Sequence, residues 1–310
     1  MTFLDHAGSS VRHAQVEVDL GAIRDNVSNL CTRASGAELM AVVKADAYGH
    51  GLVPAARAAK AGGATWLGTA VLAEALALRT AGVDGRLMSW LTAPGERWAD
   101  ALAADIDVSA SAPWAVEEIS VAARDTGRVA RLHLKVDTGL GRAGAPEADW
   151  LTLVDAALKR QAEGVLEVVG IWSHFALADA PGHPTISAQI QVFRDAVAAA
   201  EARGARPEMR HIANSAATLT RPEAHFDLVR PGLAVYGLSP VPDETDAAGF
   251  GLRPAMTARA RFALVKRVPP GQGVSYGHFY VTDRETTLGL VPLGYADGVP
   301  RHGSGGDGGP

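Results

Sequence analysis

The 310-residue sequence is 47% hydrophobic and 20% charged, an ordinary globular composition with room for one large α/β domain and part of another. A formal charge of -5 without a long basic run excludes nucleic acid as the main partner, and no apolar segment reaches the roughly 18 to 20 residues of a membrane span. Cys31 is the only cysteine, so an internal disulfide and a zinc cluster are both excluded and no metal site is expected. Residues 1–10 contain Asp5 and His6 instead of a charged-then-apolar leader, and the expected location is cytoplasmic.

Residues 1–15 read as an N-terminal tail. Residues 16–20 alternate like a half-buried strand, and 21–31 read as a helix with Ile23, Val27 and Leu30 on its apolar face. Short apolar runs then recur at 39–43, 66–70, 86–91, 106–109, 131–137, 168–175, 209–213 and 227–229. Alanine-rich amphipathic stretches such as 73–80, 115–124, 148–161 and 186–202 lie between them. Eight strands alternating with helices predict an α/β fold, a (β/α)8 TIM-type barrel over 16–238, with 16–20 able to pack on the second domain instead. A doubly wound sheet is the alternative, but no Gly-x-Gly-x-x-Gly follows a strand. After Leu238 a loop carrying Pro240 and Pro242 opens a different region. There 258–268 and 286–293 read as strands of an incomplete C-terminal β domain, 239–310. Its glycine-rich end from Gly303 cannot pack and is expected to be disordered.

In a barrel of this kind the working groups stand just after the strands. Lys44 follows the run 39–43, where a lysine at a pocket mouth is placed for desolvation and use as a nucleophilic amine; the plain alternative is a lysine extending into solvent. Gly139, Gly141 and Gly144 allow a tight loop that holds Arg142 over the strand ends, or simply a solvated arginine. His174 ends the sixth strand, in a catalytic or a structural role. Asn214 and Ser215 precede a short alanine helix, where they can cap it or aim a hydroxyl and free N–H groups at a phosphate. Arg230-Pro231-Gly232 ends the eighth strand, and Gly232 permits close backbone approach. Tyr276 stands in a glycine-flanked turn.

The twelve residues from Met40 to Gly51 (Met-Ala-Val-Val-Lys-Ala-Asp-Ala-Tyr-Gly-His-Gly) resemble the cofactor-lysine motif of alanine racemases, the pyridoxal 5'-phosphate (PLP) enzymes that interconvert L- and D-alanine. The later motifs agree with this from about residue 16 to 301. The resemblance implies that Lys44 carries PLP and that Tyr48 touches its phosphate. It implies Arg142 at the PLP 3-oxygen and the substrate carboxylate, and His174 beside the ring. Asn214, Ser215, Gly232 and Leu233 fall at the phosphate, and Arg230 at the pyridine nitrogen. The lysine at the Lys135 position is carbamylated in some members. Tyr276 of a partner subunit is implied as the second catalytic base opposite Lys44, in a homodimer with a shared site, and Tyr295 lines the substrate entry. An arginine only donates and stays protonated, so a pyridine nitrogen facing Arg230 must stay unprotonated, a weaker electron sink than one facing a carboxylate.

The implied activity is racemisation of alanine by two bases, supplying D-alanine for cell-wall peptidoglycan. The family continues with a Cys-Met-Asp segment and a later tyrosine, so this chain looks truncated in its second domain. The alternatives are a PLP-binding fragment or carrier without turnover, or a racemase of another small amino acid such as serine. A PLP barrel decarboxylase of basic amino acids is disfavoured by Arg230.

Overall fold

A computed structural model describes residues 13–34 and 36–300; the glycine-rich end and most of the expected tail lie outside the described residues. Residues 14 and 15, read as tail, are the start of strand β1, Ala14–Val18. That strand stops short of Leu20 because Asp19 caps the next helix, its carboxylate accepting from Ala22 N at 2.9 Å. Helix α1, Leu20–Arg33, buries Ala22, Ile23, Asn26, Val27 and Leu30, a face at helical spacing.

The barrel follows in the expected alternation. Its strands are β2 (Glu38–Val42), β3 (Trp66–Thr69), β4 (Arg86–Ser89), β5 (Asp107–Ala110), β6 (Ala130–Lys135), β7 (Leu166–Trp172), β8 (Met209–His211) and β9 (Leu228–Val229). The intervening helices are α2 (Lys44–Gly49), α3 (Leu52–Ala61), α4 (Leu72–Thr80), α5 (Trp98–Ala103), α6 (Pro113–Thr126), α7 (Glu147–Ala162), α8 (Pro184–Ala202) and α9 (Ser215–Thr220). The eight strands pair parallel in the order β8-β7-β6-β5-β4-β3-β2-β9. The remaining seam, between β8 and β9, is drawn together by Asp227 N donating to Arg210 O (3.1 Å) and Arg230 N to Ala213 O (2.9 Å). Arg210 Nη1 also meets Asp227 Oδ2 at 3.0 Å.

Met40, Trp66, Met88, Trp172 and Leu228 fill the barrel interior. A large aromatic buries roughly 150–250 Å2, about 4–6 kcal/mol each at 25 cal/mol per Å2, so Trp66 and Trp172 are major contributors. Between β6 and β7 the register shifts at Leu132 and His133, so that His133 stands opposite Gly170. A side chain at 170 would overlap the His133 ring.

The barrel and the segment that follows Leu238 form one compact unit over Asp19–Ala255. Residues 239–255 stay with it because Asn26 and Asn29 of α1 bind their backbone. Asn26 Nδ2 donates to Arg253 O (2.9 Å), its Oδ1 accepts from Arg253 N (2.8 Å), and Asn29 Nδ2 donates to Phe250 O (2.8 Å). The second unit contains β1 and the described residues from Met256 onward. In it β1 pairs antiparallel with β10, Met256–Ala260. Strand β11 (Leu264–Val268) pairs with β14 (Thr286–Leu290), and β12 (Gly273–Val274) with β13 (Tyr280–Val281). The single strand expected over 258–268 is therefore two. Arg261 N still reaches back to His13 O, whereas Ala263 N bonds Leu290 O, so the chain changes partner between them. Among the described residues no helix is long and apolar enough to cross a membrane.

Candidate active site

Strand β2 delivers Lys44. Leu39 to Val42 and the following Val43 are buried, and Val43 N is tied to Gly68 O of β3 at 2.8 Å. The chain after Lys44 forms a left-handed helical turn. Ala45, Asp46, Ala47 and Tyr48 have φ of 53, 52, 55 and 55° with ψ between 36 and 55°. None is glycine, and each such residue costs roughly 1–2 kcal/mol, so the surroundings must hold the turn. Asp46 N donates to Glu74 Oε1 of α4 (2.9 Å), while Asp46 Oδ1 accepts from Leu52 N (2.7 Å). From the opposite side the Tyr48 and His50 rings pack on Tyr236, at 4.9 and 4.4 Å between centroids. The Tyr236 hydroxyl in turn donates to Val42 O (2.9 Å). The turn brings the Lys44 amine to 5.8 Å from the Tyr48 ring centre. Burial, and next the Arg142 guanidinium, push the Lys44 amine below the usual lysine range, while the Glu74 carboxylate works against them.

Lys44 opens into a cavity of about 570 Å3, within the size range of cofactor sites. Tyr48, Arg142, His174, Asn214, Ser215, Arg230, Gly232 and Leu233 line it as well, so nine of the site residues read from sequence converge from the ends of β2, β6, β7, β8 and β9. Tyr276 and Tyr295 belong to the second unit, where each starts a short 3-10 turn and stands exposed at 86% and 60%.

The Arg142 loop is shaped by Asp137, whose carboxylate accepts from the N–H groups of Gly139, Leu140 and Gly141 at 2.9–3.2 Å. Gly144 has φ +126°, and a Cβ there would strike the backbone of Asp137. At the strand end below this loop Lys135 is buried, its amine 4.1 Å from the Trp172 ring centre. Burial and the charges of Arg230 and Arg142 push it down to about 8.

Arg230 is 4% exposed and donates to Ser173 O (2.7 Å), Ile212 O (3.3 Å), His211 Nδ1 (3.0 Å) and His174 Nδ1 (3.3 Å). Burial lowers it to about 9, which leaves it protonated at neutral pH. His174 is driven down to about 3 by burial and then by Arg230, Lys135, Arg142 and Lys44, so its ring is neutral and accepts from Arg230 through Nδ1. Gln189 of α8 steadies this strand end by bonding His174 O and Thr138 Oγ1.

Ser215 Oγ accepts from Gly232 N (2.9 Å) and Ala234 N (3.2 Å), while Asn214 caps α9 by accepting from Ala217 N (3.1 Å). For the Asn214 side chain the plain capping role is therefore the observed one. A Cβ on Gly232 would overlap the Tyr48 hydroxyl. Only glycine lets that hydroxyl, the Ser215 hydroxyl and the 232–233 backbone share one corner, a donor set suited to a phosphate. Four cationic side chains, Lys44, Lys135, Arg142 and Arg230, line the same cavity and favour an anionic ligand.

Trp90, Trp172 and His211 also belong to this region and were not singled out from the sequence. Inward parity along β7, where Gly170 and Trp172 share a face, is the signal that would have found Trp172.

The family model for the N-terminal domain of alanine racemase matches residues 18–240. The chain belongs to the alanine racemase family. The model for the alanine racemase C-terminal domain matches 255–308, over the segment read from sequence as an incomplete β domain. The alanine racemase of Frankia casuarinae is 64% identical over 295 residues, which is 95% of this chain and 77% of that protein. That of Streptomyces coelicolor is 63% identical over 300 residues, with the same coverage of both. Among solved alanine racemases, the enzyme of D-cycloserine-producing Streptomyces lavendulae superposes with a TM-score of 0.92 at 60% identity, covering 96% of this chain and 78% of that one. The alanine racemase fold thus accounts for both units, the barrel and the β region.

Proposed function

We propose that the chain is a PLP-dependent alanine racemase whose cofactor is held in the 570 Å3 cavity through Lys44. The observation that carries this reading is the convergence there of a desolvated lysine amine, a buried arginine and a glycine-dependent hydroxyl corner, drawn from the ends of β2, β8 and β9. When bound, PLP supplies an electron sink that acidifies the α-proton of an amino acid. Tyr48, Ser215, Gly232 and Leu233 would hold its phosphate, with Asn214 ordering the helix beside them. Arg230 would donate to the pyridine nitrogen and keep it unprotonated, which would restrain the sink and favour proton exchange over transamination.

Arg142 receives the substrate carboxylate. Lys44 moves the proton on one face, its amine held below the usual lysine range by burial and by Arg142. Tyr276 of the partner subunit serves the other face in a homodimer. The neutral amine of Lys135 can add to carbon dioxide, releasing a proton and leaving a carbamate anion between Arg142 and Arg230. D-alanine is the product, destined for peptidoglycan as the resemblance implies.

The test supplies PLP and L-alanine to the purified chain and follows D-alanine with a stereospecific coupled assay. D-alanine forms with the native chain and falls to background in Lys44→Ala, which also loses covalently held cofactor. Undiminished racemisation in Lys44→Ala refutes the assignment; cofactor bound through Lys44 without D-alanine identifies a binding fragment.

A further inference from the structure

A line of buried polar groups runs through the barrel from Arg230, at the strand ends that face the cavity, to Asp107, the first residue of β5 at the opposite end. Arg230 Nη1 meets His211 Nδ1 at 3.0 Å, His211 Nε2 meets His133 Nδ1 at 3.0 Å, and His133 Nε2 meets Asp107 Oδ2 at 3.2 Å. Both histidines are fully buried and Asp107 is 2% exposed. Trp172 stacks on His211 with 6° between planes, and Trp66 meets His133 edge-on. The register shift opposite Gly170 makes the room His133 occupies.

The chemistry of the two ends fixes everything between them. Guanidinium only donates, so His211 must accept through Nδ1 and carry its proton on Nε2. That N–H makes His133 Nδ1 an acceptor, which leaves the His133 proton on Nε2, facing Asp107. An ionised carboxylate only accepts, so the last link closes. Burial pushes the Asp107 carboxyl up, but the hydrogen bond from His133 and the charges of Arg86 and Arg131 outweigh it and hold it below the usual range. Arg86 Nη2 at 3.0 Å and Arg131 Nε at 3.3 Å complete its shell. His211 is kept neutral by burial and then by the charge of Arg230.

We propose that Asp107 is a positioning residue for Arg230, acting through His133 and His211: it selects the Nε2–H tautomer of both rings, and so presents to Arg230 the acceptor that holds its guanidinium at the cavity. This rests on the reading that Arg230 faces the pyridine nitrogen, but the tautomers are set by the chain itself. An asparagine at 107 can donate as well as accept. It therefore no longer fixes the order from its own end and leaves the tautomers to Arg230 alone.

The experiment is 15N NMR of ring-labelled histidine in the full chain, with and without PLP, for the native protein, Asp107→Asn and Glu208→Gln. The native chain shows His133 and His211 protonated on Nε2 alone. Asp107→Asn loses that single pattern and weakens PLP binding by about 10- to 100-fold, the size of a lost hydrogen bond to a charged group. Glu208→Gln, which trims the ion pairs of Arg86 and Arg131 but leaves Asp107, keeps the native tautomers and PLP affinity. Nδ1–H on either histidine in the native chain overturns the proposal, a result that stands even if Asp107→Asn fails to fold. Native tautomers and native PLP affinity in a folded Asp107→Asn overturn it too. With 15N-labelled PLP in the native chain, a protonated pyridine nitrogen would sink the reading of Arg230 while leaving the tautomer result intact.

Discussion

Lys135→Met removes a buried cation and keeps an unbranched, apolar side chain one atom shorter. In the folded chain the Lys135 amine is lowered from 10.5 to about 8 by burial and by Arg230 and Arg142. At about 1.36 kcal/mol per pKa unit, a gap of about 2.5 means the protonated lysine costs the fold about 3 kcal/mol. The sign follows from the direction. A folded pKa below the unfolded one means the unfolded chain binds the proton more tightly, so the cost is complete below pH 8 and vanishes as pH rises through 10.5. Lys135→Met should therefore be more stable than the native chain by about 3 kcal/mol at pH 7, and by less than about 1 kcal/mol at pH 10.

Urea unfolding of the PLP-free chain in buffer freed of carbon dioxide reads this, since all six tryptophans (66, 90, 98, 114, 150 and 172) lie in the barrel unit and report it alone. A midpoint difference of about 1 M at pH 7, shrinking by pH 10, is expected. Adding bicarbonate should raise the native midpoint and leave the methionine variant unmoved. A difference that stays constant from pH 7 to 10 would refute the argument that Lys135 is held as an unfavourable cation.

Three further outcomes follow from the site. Gly232→Ala drives a methyl into the Tyr48 hydroxyl, so PLP affinity should fall at least tenfold with the barrel still folded; unchanged affinity would remove Tyr48 and Gly232 from the phosphate corner. Arg230→Glu places a carboxylate at the pyridine nitrogen, and the ratio of pyruvate to D-alanine formed from L-alanine should rise; an unchanged ratio would show that Arg230 does not restrain the sink. Tyr276→Phe removes one of two bases, so the primary deuterium isotope effect should grow for one enantiomer more than for the other. Equal changes in both directions would count against a two-base exchange.

The eight barrel strands were legible because each is a short, nearly continuous apolar run, as a sheet covered on both faces requires, and helices of 3.6-residue period separate them. The strand-end positions of Lys44, Arg142, His174, Ser215 and Arg230 followed from that alternation. The handedness of the turn at 45–48 did not. Ala-Asp-Ala-Tyr holds no glycine or asparagine to announce positive φ, and the support comes from Glu74 and Tyr236, remote in sequence. The line from Arg230 to Asp107 was hidden for a related reason. Its members come from four strands, and a register shift that only the paired strands reveal decides where His133 points. In the second unit the break at 261–263 was invisible because both halves of the run have strand-like composition and only the partner changes.

The left-handed turn also bears on the order in which the molecule assembles. Nothing local favours it: four L-residues left to themselves adopt other conformations, and no short stretch of the isolated chain would nucleate it. Its supports arrive with β3, α4 and the segment after β9, the last of which is among the final parts of the barrel to leave the ribosome. Lys44 and Tyr48 thus reach their working arrangement late, once the first and last strands have met. A half-built barrel offers no matched pair, and cofactor uptake during synthesis becomes a read-out of closure, usable in a time-resolved refolding experiment as a clock for the final step.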